Sequence, residues 1–324
     1  MLTLAGFALA TLLGPEPTPA ILRASVEKAL PILVKGAVGY AEKRTCFGCH
    51  NQCLSMVAFH AARERGFSVE DEFIEKQAEH VIAAFKERHP SLKKGSLGGG
   101  IDSAGWGLYL LDKAGHEDVD ATAPVVDYIL KQHENLNGPW RPTSNRPPTQ
   151  GSLFTSTYLA IRALKTWGTP EQKEPIDKRI DAAKAWLETT PAKDTEDRVY
   201  RLRALKAVDA NGDVIRDATI ELRKAQRSDG GWGQKDEMPS DPYAAATALA
   251  ALREAGGMPA SSPAFKRGLS FLLRTQQHDG SWHVKTRSRP IQQYFESGFP
   301  HGKDQFISAA TTAWAVTALV QGLK

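Results

Sequence analysis

Cys46-Phe47-Gly48-Cys49-His50 sets two thiols three residues apart, with an imidazole directly after the second. Groups of these types in this order suit covalent haem attachment. The thiols add across the two vinyl groups of a haem, and the histidine beside the second thioether is held over the iron as an axial ligand. The motif therefore predicts one covalent haem c, with Cys46 and Cys49 as attachment points and His50 as proximal ligand. Two other readings use the same atoms. Cys46, Cys49, His50 and Cys53 could supply soft donors to a structural zinc, although tetrahedral sites usually draw their ligand pairs from separate segments. The thiols could equally form a disulfide or pack as small hydrophobes. Cys53, one helical turn beyond His50, reads as packing.

The N-terminus bears on this choice, because haem is joined to such motifs outside the cytoplasm. Met1 to Gly14 (MLTLAGFALATLLG) is an apolar run too short to span a bilayer, and Pro15 to Ala20 ends in small residues resembling a cleavage region. Residues 1–20 thus read as an export signal without the usual positive start, and residues 21–324 as one periplasmic or otherwise exported domain. No other segment reads as a membrane span. Lys and Arg (41) nearly balance Asp and Glu (37) and are interspersed, so the charge pattern describes solvated helix faces and no nucleic-acid partner.

The elements that must position these residues repeat along the chain. Six Ala- and Leu-rich stretches each stop at a glycine, the residue that closes a helix most readily in a left-handed cap. They run over residues 53–66, 102–115, 153–168, 197–212, 241–256 and 305–322, and each follows a more charged helical stretch: 25–42, 69–86, 122–132, 176–188, 217–226 and 265–276. The unit is a helical hairpin of about 45 to 55 residues. Charged helices outside and small-residue helices inside predict an all-α fold, an α6/α6 toroid of six hairpins around a common axis.

The loops between outer and inner helices read Gln226-Arg227-Ser228-Asp229-Gly230-Gly231-Trp232 and Gln276-Gln277-His278-Asp279-Gly280-Ser281-Trp282, with a looser form from Gln132 to Trp140. This pattern resembles the Gln…Gly-x-Trp repeat of the squalene-hopene cyclases and the related protein prenyltransferase β-subunits. Gly298-Phe299-Pro300-His301-Gly302-Lys303-Asp304 is likewise similar to the stretch leading into the last inner helix of those cyclases. The resemblance implies an α/α barrel whose cavity receives isoprenoid chains. The acid motif of the cyclases, Asp-x-Asp-Asp at the mouth of an inner helix, is not matched at Asp241-Pro242-Tyr243-Ala244, which offers one carboxylate. Asp118-Val119-Asp120 opens an outer helix and reads as an N-cap. The zinc ligands of the prenyltransferases are missing too, since no cysteine follows Cys53.

The repeat places Cys46 to His50 in an outer-to-inner loop, on the rim that Trp140, Trp232 and Trp282 share. A distal ligand must come from loops of the same rim, namely His89, His133, His278, His283, His301 or Met238, and His301 is preferred because it follows the long Ser288 to Asp304 loop. If no side chain reaches the iron, the open position suits small-ligand binding or peroxide chemistry, with Tyr243, Trp282 and Tyr294 as candidate groups around it. Arg141, Arg146, Lys235, Arg287, Arg289 and Lys303 could meet haem propionates. Trp106, Tyr109, Thr155, Tyr158, Tyr200, Thr247, Thr311 and Trp314 are candidates for the cavity wall, although an aromatic on an inner helix is more often ordinary core. The expectation is a haem protein acting in redox chemistry at the cavity mouth, with a redox partner protein and a small apolar ligand. The alternatives are a non-catalytic binding module with a zinc or disulfide knot, or a cyclase-like enzyme using an acid outside the family motif.

Overall fold

The computed structural model describes residues 15–132 and 138–323. Of the expected export signal, residues 1–20, Met1 to Gly14 lie outside them, as does the candidate His133. Twelve helices pair into the six expected hairpins: α1 (Pro19–Lys43) with α2 (Leu54–Arg63), α3 (Asp71–Glu87) with α4 (Gly100–Ala114), and α5 (Val119–Lys131) with α6 (Leu153–Trp167). They continue as α7 (Lys173–Thr189) with α8 (Thr195–Ala207), α9 (Gly212–Lys224) with α10 (Pro242–Glu254), and α11 (Pro263–Thr275) with α12 (Gln305–Val320). A five-residue helical turn, His89–Lys93, and a two-residue antiparallel pair, Trp232–Gly233 with Ser240–Asp241, occupy connections.

Local chemistry sets the helix starts. Asp118 accepts from the Ala121 amide, Ser152 from Phe154 and Thr155, Asp194 from Asp197, and Asp241 from Tyr243 and Ala244. The Asp118 reading as a cap is therefore correct. Pro19 and Pro242 stand in the first turns of α1 and α10, where a missing N–H costs nothing.

The two kinds of helix differ in how they are covered. In α10 every residue from Pro242 to Leu252 is buried, and α12 is buried from Ile307 to Val320. The outer α9 buries Ala218 and Leu222 only. A helix apolar and small all round belongs between neighbours, whereas a one-sided helix belongs on a surface. Accordingly α2, α4, α6, α8, α10 and α12 pack each on the next, and α12 packs back on α2. The inner ring is closed.

The tryptophan loops fasten the outer ring. Trp140, Trp232 and Trp282 are fully buried, and their indole N–H groups donate to the carbonyls of Ile129, Leu222 and Leu272 on the preceding outer helices. The glutamines reach further. Gln226 Nε2 donates to Gly230 of its own loop and to Ala264 on the next outer helix, and Gln276 Nε2 does the same to Gly280 and Ser25. The last of these bonds ties α11 to α1 across the closure.

Away from the rim, buried charged and aromatic side chains pack against one another in the lumen. Arg203 on α8, 3% exposed, lies over the Trp314 ring at 4.7 Å and pairs with Glu254 at 2.9 Å. Trp106 stacks on Tyr109 at 5.7 Å and meets Trp314 edge-on. These inner-helix aromatics, candidates for a cavity wall, are core. Space is left at the mouth instead.

Candidate functional site

Cavities open at the rim, and the tight loop of residues 145–150 walls three large ones. Arg146 and Gln150 exchange both backbone hydrogen bonds, which fixes this loop.

The first site lies at the start of α8, where Asp194-Thr195-Glu196-Asp197 brings carboxylates to the cavity of about 470 Å³. Asp194 caps the helix, and Asp197 accepts from the Ser152 hydroxyl at 2.7 Å and the Lys193 amide at 3.1 Å. Thr195 donates its hydroxyl to the Gly233 carbonyl. Glu196 is left turned inward, 5% exposed, with Thr155 Oγ1 donating to Oε1 at 3.3 Å and Tyr243 Oη within 3.2 Å of both carboxyl oxygens. Burial, and then the Asp194 charge, push its pKa well above the usual carboxylate range. Burial thus favours the protonated form of Glu196, and two hydroxyl donors are aimed at the oxygens where charge appears when its proton leaves. Phe154 and Trp186, rings 4.5 Å apart, wall the same cavity.

This quartet is the feature that sequence reasoning passed over. Its spacing is that of the cyclase acid motif with Glu in place of the middle Asp, one methylene longer. With aspartate alone, the motif is approached only by Asp118-Val119-Asp120 and by Asp241, which caps α10 and whose carboxyl burial also raises. A second buried acid, Asp102 in the first turn of α4, accepts from Ser156 and is pushed up to about 7 by burial.

The second site holds the thiols. Cys46, Cys49 and His50 follow α1, and residues 49–53 form a single π-helical turn into α2. They wall a cavity of about 400 Å³ together with Tyr40, Phe47, Arg146 and Phe306, and His50 and Arg146 also wall a neighbouring one of about 350 Å³. His50 Nε2 lies 2.8 Å from Thr149 Oγ1, and burial with the nearby Arg146 charge holds its imidazole neutral, pKa about 3. All three cysteines are free, and Cys53 is fully buried as expected of packing. The zinc reading finds no support: among the described residues no group of three or more His, Cys, Asp or Glu side chains is arranged to hold a metal.

His301 stands elsewhere. Its Nε2 is 2.7 Å from Ser281 Oγ and its ring stacks on His283 at 4.6 Å, and neither histidine walls a cavity that His50 walls. The Gly298 to Gly302 segment turns at His301 (φ 82°) and directs the ring toward the Asp279–Ser281 loop. His301 and His50 are therefore not brought together. Of the expected rim cations, Arg146, Arg289 and Lys303 wall the His50 cavities, whereas Lys235 and Arg287 wall that of Glu196.

Residues 185–307 match the squalene-hopene cyclase C-terminal domain family. In solved structures, a variant of the type II terpene cyclase MstE from Scytonema in complex with geranylgeranyl dihydroxybenzoate superposes with a TM-score of 0.58 at 14% identity, covering 94% of this chain and 97% of that one. A protein from Actinoplanes superposes equally well, at 15% identity over 94% of this chain and all of that one. The fold is that of the type II terpene cyclases. Among curated proteins, a drimenyl diphosphate synthase of Streptantibioticus cattleyicolor is 42% identical over 83 residues, and one of Streptomyces showdoensis 29% over 155 residues. Those alignments cover 26% and 43% of this chain but only 14% and 28% of the two relatives.

These names correct the expected function. A haem protein acting in redox chemistry or electron transfer was anticipated from one pentapeptide, whereas the relatives are named for terpene cyclisation. A redox partner has no support either. The alternative of a cyclase-like enzyme with an acid outside the family motif agrees better. Among the described residues no helix is long and apolar enough to cross a membrane.

Proposed function

We propose that this chain is a cyclase-type enzyme that starts ring closure of an isoprenoid chain by protonating an alkene, with Glu196 as the acid. The observation that carries the reading is a buried carboxyl at the mouth of an inner helix, held by two hydroxyl donors beside a cavity. Proton transfer from Glu196 to one alkene carbon leaves a tertiary cation on the other. The next double bond attacks that cation, and loss of a proton at the end makes the overall change an isomerisation. Thr155 and Tyr243 stabilise the carboxylate as it forms, which is the arrangement that lowers such a barrier. Phe154 and Trp186 offer ring faces to a travelling cation. Lys193, Lys235 and Arg287 on the same wall suit a substrate with an anionic head, in keeping with the diphosphate in the relatives' names.

The test is incubation of the purified chain with farnesyl diphosphate and, separately, geranylgeranyl dihydroxybenzoate, followed by mass-spectrometric analysis of products. Cyclic isomers are expected from at least one. Glu196→Gln, nearly isosteric but unable to protonate, should lower turnover by about 10²- to 10⁴-fold while leaving the circular dichroism spectrum unchanged. Cyclisation by this variant at the wild-type rate would overturn the assignment.

A further inference from the structure

The Glu196 chemistry leaves the Cys46 to His50 motif unused, although its side chains wall two adjoining cavities on the other part of the rim. We infer that these cavities are a covalent haem site, in which Cys46 and Cys49 each form a thioether with a haem vinyl group and His50 faces the iron. What is inferred is a bound group and no electron-transfer role, and it does not rest on Glu196 being an acid.

Three observations converge on it. The two thiols are free and partly exposed toward the cavity, while Cys53, the third, is sealed in the core; a tetrahedral zinc would need that third thiol to turn outward. The cavities, about 400 and 350 Å³, share His50, Arg146, Ile291, Gln292 and Phe306 as walls, and each already falls in the range of roughly 300–1,000 Å³ that small-molecule sites occupy. Their walls are also apolar where a macrocycle would lie: Tyr40, Phe47, Ile291 and Phe306. Finally, Arg146 walls both cavities, and its Nε is buried with no hydrogen-bond partner. Leaving a guanidinium N–H buried and unpaired is costly, and a propionate carboxylate would satisfy it. Arg289 and Lys303, on the smaller cavity, are further cations for the second propionate.

The attachment balances without an external oxidant or reductant. At each cysteine the S–H bond breaks, sulfur bonds to the inner carbon of the vinyl group, the hydrogen goes to the outer carbon, and the C=C bond becomes single. The haem is the one co-reactant. Iron would take over the His50 Nε2 lone pair, so the Thr149 hydroxyl now 2.8 Å away must turn aside within the 145–150 loop. Gly48 is required by the same geometry, because a Cβ there would meet the Tyr40 ring at 2.8 Å and displace the segment joining the two thiols.

The experiment is export of the full chain in a bacterial host with and without haem-attachment machinery, read by intact mass and by absorbance after acid-acetone extraction. With the machinery, the mass should increase by one haem and the Soret band should survive extraction. Cys46→Ala and Cys49→Ala should each shift the pyridine haemochrome band from the two-thioether to the one-thioether position, and the double variant should lose the added mass entirely. His50→Ala should keep the thioethers but alter the ferrous spectrum, which a merely structural histidine would not do. Folded wild-type chain without added mass overturns the inference, as does haem that washes out or persists in the double variant. Cyclisation assays on the same samples report on Glu196 separately, so failure of either reading is visible without the other.

Discussion

As the proposed acid, the carboxyl of Glu196 would have to satisfy two opposed demands: to hold its proton near neutral pH and to release it to a hydrocarbon. Burial favours the first, and the hydroxyls of Tyr243 and Thr155 favour the second by stabilising the anion. Tyr243→Phe removes one donor without changing the packing much. It should lower turnover by about 10²-fold, the usual cost of one such donor. Because the phenol favours the carboxylate, its loss should also raise the Glu196 pKa further, so the alkaline limb of the pH-rate profile should move to higher pH. An unmoved limb would mean that Tyr243 only fills space. At this scale the sequence was partly legible. Cys53 as packing and Asp118 as a cap follow from spacing alone, but Glu196 is recognisable only when Glu is allowed for Asp, and its burial depends on Tyr243, 47 residues away.

Between elements, close approach sets what is allowed. Gly39 lies inside α1, where alanine ordinarily gains about 1 kcal/mol of helix stability. A Cβ there, however, would lie 2.2 Å from the Ser297 carbonyl oxygen, in the loop that leads into α12. The clash is with backbone and cannot be relieved by a rotamer change. Gly39→Ala is therefore expected to destabilise by about 1 to 3 kcal/mol despite the better propensity, measured as the urea midpoint of unfolding. A stabilised variant would show that the loop yields freely. The six hairpins were readable because apolar period, caps and terminal glycines agree along each stretch. The packing in the lumen was not, since it depends on Arg203 meeting Glu254 and Trp314 from three different helices. Likewise, the helical spacing around His50 gives no sign of the π-helical turn at residues 49–53, which sets where the imidazole points.

Across the whole ring, buried acids tie stability to pH with one sign. Asp102, Glu196 and Asp241 stand in the first turns or caps of α4, α8 and α10, and burial raises each. For Asp102 the folded pKa is about 7 against an ordinary 3.8. Between those values the native state binds the proton that the unfolded chain has lost, so its contribution to stability is complete at low pH and disappears as pH rises through about 7. Glu196 and Asp241 act in the same direction. The toroid should therefore be more stable on the acid side of neutrality than on the alkaline side. Asp102→Asn removes one ionisable group while keeping an acceptor for Ser156, which should flatten this slope. At about 1.4 kcal/mol per pH unit for one proton, the variant should lose roughly 1 to 2 kcal/mol less than wild type between about pH 6 and pH 8. Thermal melts at the two pH values measure this directly, a few degrees being expected for a change of that size. An equal loss in both proteins would mean that Asp102 does not carry a proton in the native ring, and the alkaline weakening would then belong to Glu196 and Asp241 alone.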